Sequence, residues 1–192
     1  MRILAIDPGT KTTGYCGMEI DEEDGRIEIV FAECHNAEKM THRFPTMLLN
    51  YDELTTRLHA HGVNLNRLIE IMKPDVVVAE SPFFNPRRPT SAEPLARMKQ
   101  VITEVVANNG VELVWIAPQQ MKRVVGANVK NSSKDNVRGA IEKLIEEKEL
   151  CFSKDCEQQH LDQVVEHVVD AIGIGYTFAS NERTKWKTCL NF

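Results

Sequence analysis

No stretch of this 192-residue sequence approaches the ~18 consecutive apolar residues of a membrane-spanning helix, which excludes an integral helical membrane protein. The opening Met1-Arg2-Ile3-Leu4 lacks the pattern of a signal peptide, and a core strand is expected there instead. Cysteine is sparse and irregularly spaced. Five thiols argue against a disulfide scaffold and suit a reducing, cytoplasmic compartment. Internal repeats and low-complexity tracts are missing as well. What remains is one domain, 1–192, whose 42% hydrophobic residues are enough to build a core without staples.

Net charge is −5, which by itself argues mildly against a polyanionic partner. The charge is unevenly spread. Six acids fall between 19 and 28 against Arg26, and read as a solvated hairpin tip. Nine bases fall between 85 and 138 against four acids, a local surplus that favours nucleic acid over the total.

Residues 2–6, 13–20 and 26–34 read as consecutive strands, the second turn marked by Asp24-Gly25. The polar stretch 35–50 reads as loop. Leu54, Leu58, Leu65, Leu68, Ile69 and Met72 then share a helical face that ends before Pro74. Asp75 to Ala79 is a continuous apolar strand, as expected of one buried on both faces. A proline-rich loop at 81–90 leads to a helix at about 91–108, a strand at 112–116, and a short helix opened by Pro118. Further helices are expected at about 134–148 and 161–179, with a frayed tail at 181–192. The order is that of a mixed sheet flanked by helices. The apolar stripe of the helix at 91–108 suits a dimer face and a sheet-packing face equally well.

Three acids lie inside apolar segments: Asp7 after ILAI, Glu80 after VVVA, and Asp170 within VVDAIG. Each alone could be an ordinary turn residue or an ion-pair partner. A lone buried carboxylate is costly, and gathering the three around divalent cations removes the cost. An oxygen-rich set suits Mg²⁺ or Mn²⁺. His167, three residues before Asp170, shares its helix face. Phe83 and Phe84 beside Arg87 and Arg88 would make a stacking wedge and phosphate clamp in an exposed loop.

Four segments in this order, IDPGTKTTGY at 6–15, ESPFF at 80–84, APQQMKRVVGANVKNSSK at 117–134 and HVVDAIGIG at 167–175, resemble the RuvC-type Holliday junction resolvases. The resemblance implies an α/β, RNase H-like fold with a five-stranded mixed sheet, three antiparallel strands then two parallel. It implies that Asp7, Glu80 and Asp170 are catalytic metal ligands. His167 stands where some members carry Asp and others His, and would complete the set. It further implies that Phe83 stacks at the junction centre, and that Lys122 and Lys134 contact or polarise the DNA backbone. The expected reaction is paired hydrolysis of four-way junctions with two Mg²⁺ or Mn²⁺ ions per site, leaving 5′-phosphate and 3′-hydroxyl ends. The symmetry of a four-way junction suits a homodimer.

Other kinds of protein share parts of this pattern. A RuvC-like nuclease for flaps, forks or other branched DNA would have the same motifs. An actin-like or sugar-kinase-like ATPase also begins with a strand and DxGT. It needs a second phosphate loop and an adenosine motif, neither of which is found here. Cys151, Cys156 and His160 have a zinc-like spacing, but no fourth ligand is evident.

Overall fold

The structure is a computed structural model that describes residues 1–82, 92–127, 135–154, 156 and 165–189, with only the backbone described for 135 and 186–189. A central sheet is sandwiched between two helical layers. The chain starts as an antiparallel meander: β1 (Arg2–Asp7), β2 (Thr12–Ile20) and β3 (Ile27–Asn36). It then passes through two short helices, α1 (Ala37–Met40) and α2 (Pro45–Asn50), into the long helix α3 (Glu53–Met72). The parallel strands β4 (Val76–Glu80) and β5 (Glu112–Ile116) flank α4 (Ala92–Asn108). Helices α5 (Pro118–Val124) and α6 (Asp135–Glu146), a short strand β6 (Cys151–Phe152) and α7 (Glu166–Cys189) complete the described chain.

Strand order is β5-β4-β1-β2-β3-β6. β1 pairs antiparallel with β2 and parallel with β4, so it lies at the middle of the sheet. Its alternation explains the burial on both sides. Ile3 and Ala5 pack with Met18, Val76, Ile172 and Ile174 under α7. Leu4 and Ile6 pack with Val77, Leu65, Met98 and Ile102 under α3 and α4. With period-2 side chains buried on either face, β1 and β4 read as unbroken apolar runs.

Several expectations are corrected. The sheet has six strands rather than five; β6 is only two residues long, too short to leave a pattern, and pairs parallel with β3. The stretch 35–50 is not loop. β3 runs to Asn36, whose side chain accepts from the Lys39 amide and caps α1, and Pro45 opens α2. These helices are too short for periodicity to show. α7 begins at Glu166, and its helical backbone continues to Cys189 through residues expected to fray. Arg183 binds Glu149 at 2.6 Å, which links this extension to the segment after α6, and Lys185 binds Glu182 within α7 itself. Of the α4 stripe, Met98, Ile102 and Val106 are buried against the sheet and α3, as the sheet-packing reading expects, while Leu95 and Val105 are half-buried. Gly62 lies where α3 packs on α4, and a Cβ there would meet Val101 at 3.3 Å.

Candidate active site

The acids converge because the strands that carry them are neighbours. In the parallel pairing Ile6 faces Ala79, so Asp7 and Glu80 follow side by side at adjacent strand ends. α7 crosses the same end of the sheet with His167 and Asp170 in its opening turns. That approach depends on Gly14, which pairs with Asp7 across the hairpin. A Cβ at Gly14 would sit 1.9 Å from the His167 carbonyl oxygen, so any side chain there would drive α7 off the sheet. Gly175, deeper in α7, lies against Ala5 and Met18.

Asp7 is only 6% exposed. His167 Nδ1 donates to its Oδ2 at 2.6 Å, and that bond pushes the imidazole pKa upward. Burial pushes the Glu80 carboxyl up to about 8, helped by the neighbouring charges of Asp7 and Asp170 and by a hydrogen bond with Asp7, while Lys122 on α5 opposes. Burial likewise raises Asp170 to about 6, with Asp7 and Glu166 adding and with His167 and Lys122 opposing. Three acids from three elements thus repel one another in a partly desolvated corner. Their donors are hard oxygens plus one imidazole, the chemistry that suits a hard divalent cation. Among the described residues no three side chains already stand as a coordination shell, since Asp7 is engaged by both His167 and Glu80.

The structure therefore brings together Asp7, Glu80, His167 and Asp170, with Lys122 close enough to influence both Glu80 and Asp170. Phe83, Phe84, Arg87, Arg88 and Lys134 lie outside the described residues. So does His160 of the zinc-like trio, whose Cys151 thiol donates to the Ile27 carbonyl and whose Cys156 is buried in the core. Sequence reasoning missed a polar set behind the Asp7 turn. Thr13 and His61 are 0% and 1% exposed and meet at 3.2 Å. A signal existed: His61 falls between Leu58 and Leu65 on the apolar face of α3, where a polar side chain needs a reason.

A family model described as crossover junction endodeoxyribonuclease RuvC matches residues 3–156. The RuvC of Salinibacter ruber is 30% identical over 156 residues, covering 81% of this chain and 78% of the relative. That of Prochlorococcus marinus subsp. pastoris is 28% identical over 141 residues, 73% of this chain and 80% of its own. Among solved structures, T. thermophilus RuvC in complex with Holliday junction substrate superposes with a TM-score of 0.67 at 16% identity, covering 96% of both chains. The yeast mitochondrial Holliday junction resolvase Ydc2 gives 0.69 at 15% identity, covering 97% of this chain and 83% of that one. At such identities the structural likeness speaks for the fold, an RNase H-like sheet with one added edge strand.

Proposed function

Because the chain belongs to the crossover junction endodeoxyribonuclease RuvC family, we propose that it resolves four-way DNA junctions by paired phosphodiester hydrolysis at Asp7, Glu80, His167 and Asp170. The observation that carries this reading is the crowding of three acids from β1, β4 and α7, strong enough to lift Glu80 to about 8 and Asp170 to about 6. Such a corner is relieved by divalent cations, and Asp7, Glu80, Asp170 and His167 are the residues that would hold two Mg²⁺ or Mn²⁺ ions. When bound, these ions supply an activated water and neutralise charge on the leaving 3′-oxygen.

The side chains divide the remaining work. Asp7, central among the acids, would be a metal ligand. His167 fixes the orientation of its carboxylate through Oδ2. Lys122 brings a positive charge to Glu80 and Asp170 and would offset charge gathering on the reacting phosphate. Phe83, Phe84, Arg87, Arg88 and Lys134 are assigned to DNA contact from sequence alone. A homodimer would set two sites on strands of like polarity. The four described free thiols suit a reducing cytoplasm.

Asp7→Asn and Asp170→Asn, assayed with Mg²⁺ on a synthetic four-way junction, test the assignment. Cleavage should disappear while metal-free binding persists or tightens; unchanged cleavage would refute it. Equal wild-type rates on four-way, three-way and flap DNA would replace the resolvase reading with that of a general branched-DNA nuclease.

A further inference from the structure

The turn that follows Asp7 is held from behind. The Thr13 hydroxyl donates to the Gly9 carbonyl at 3.0 Å and lies 3.4 Å from the Gly9 amide. One hydroxyl thus clamps both polar groups of the residue two positions beyond Asp7. Its proton is spent on Gly9, so the oxygen presents a lone pair to His61 Nδ1 at 3.2 Å. His61 must therefore carry its proton on Nδ1, facing the turn. Burial, followed by the adjacent His35, pushes the His61 pKa down to about 3, against the Thr10 backbone. The ring is neutral at working pH and has one N–H to give. Its other nitrogen, Nε2, is buried with no hydrogen-bond partner among the described residues.

That orphaned nitrogen matters. An apolar side chain would fill this slot on the Leu58–Leu65 face of α3 without the cost of an unpaired buried acceptor. The cost is borne at a position whose polar contacts, with the Thr13 hydroxyl and with the Thr10 backbone, both lead to the Asp7 turn. Gly9 in turn lies beside His167: a Cβ on Gly9 would stand 3.7 Å from His167 Cε1, at van der Waals range. The chain of contacts runs from His61 through Thr13 to Gly9, which stands two residues beyond Asp7 and beside His167.

We infer that His61 is a positioning residue for catalysis, holding the Asp7 turn in register with His167 through the Thr13 hydroxyl. The inference rests on the reading of Asp7 as a catalytic residue. The isosteres make it testable, because Asn reproduces the Nδ1 donor of His whereas Leu fills the volume with no donor. His61→Leu should lower the cleavage rate of a four-way junction about tenfold or more, the scale of sub-ångström misplacement. It should leave metal-free junction binding within about twofold and Tm equal or higher, since the unpaired Nε2 is gone. His61→Asn should return the rate to within about threefold of wild type, and Thr13→Val should reproduce the Leu defect.

A wild-type rate in His61→Leu overturns the inference. If His61→Leu loses both rate and Tm, His61→Asn decides: recovery of rate supports positioning, and recovery of Tm without rate overturns it. Asp7→Asn run alongside separates the two readings. If it still cleaves, the site assignment has failed; if it is dead while His61→Leu is fully active, only the positioning role has failed.

Discussion

The imidazole of His167 donates to the carboxylate of Asp7 at 2.6 Å across 160 positions of sequence, joining the first strand to the last helix at one point. If this bond orients a metal ligand, its loss should weaken cation affinity more than DNA affinity. His167→Ala is expected to raise the Mg²⁺ concentration for half-maximal cleavage about 10- to 100-fold. His167→Asp, which restores a hard oxygen donor, should recover much of it. Mg²⁺ titrations of cleavage, with metal-free junction binding as control, measure both.

The metal-free protein should become less stable as pH rises. Glu80 goes from 4.5 to about 8 and Asp170 from 3.8 to about 6 on folding. A carboxyl whose pKa is raised in the folded state favours folding below its unfolded value, and that advantage vanishes as pH climbs through the folded value. His167, also raised, acts with the same sign. Asp21, Glu38 and Asp52, which are lowered, act below this window. In chelator, Tm should therefore fall by about 5 °C or more between pH 5 and pH 8. Glu80→Gln should flatten the decline, and added Mg²⁺ should reverse it. A wild-type profile no steeper than that of Glu80→Gln would contradict the crowded-acid picture.

Lys122 opposes the upward shift of both Glu80 and Asp170. Lys122→Ala should slow single-turnover cleavage by about 10²-fold at saturating junction, the usual cost of removing a preorganised charge from a reacting centre. Its metal-free protein should lose stability with rising pH at still higher values than wild type.

These acids were legible because a charge at the end of an apolar strand or inside an apolar helix has few ordinary explanations. Asp7, Glu80 and Asp170 announced themselves in that way, whereas two buried-strand patterns did not by themselves make β1 and β4 neighbours. Other features left no comparable trace. β6 is two residues long and exists because β3 offers it an edge. α1 and α2 span less than one period-detecting window. The α4 stripe was ambiguous, since inward and outward packing use the same spacing. His61 was visible only as a polar residue on an apolar face, and its partner Thr13 only as one threonine among several.

Gly14 belongs with these, since a glycine in a strand does not say what presses on it. With the His167 carbonyl 1.9 Å from its missing Cβ, Gly14→Ala should cost about 1–3 kcal/mol as α7 is displaced. Cleavage should suffer out of proportion to stability, because the displaced segment carries His167 and Asp170. Denaturant midpoints and cleavage rates on the same preparation test this; a stable and fully active Gly14→Ala would show that α7 can shift without harm.

The crossing of α7 over β1 and β2 has one more consequence. The hairpin that bears Asp7 is local and can pair as soon as it exists, but the residues that complement it arrive some 160 positions later. A partly synthesised or clipped chain lacking α7 holds Asp7 and Glu80 but neither His167 nor Asp170. On the proposed site, hydrolytic power over DNA would be withheld from such fragments and conferred only on a chain whose last described helix has closed over its first hairpin.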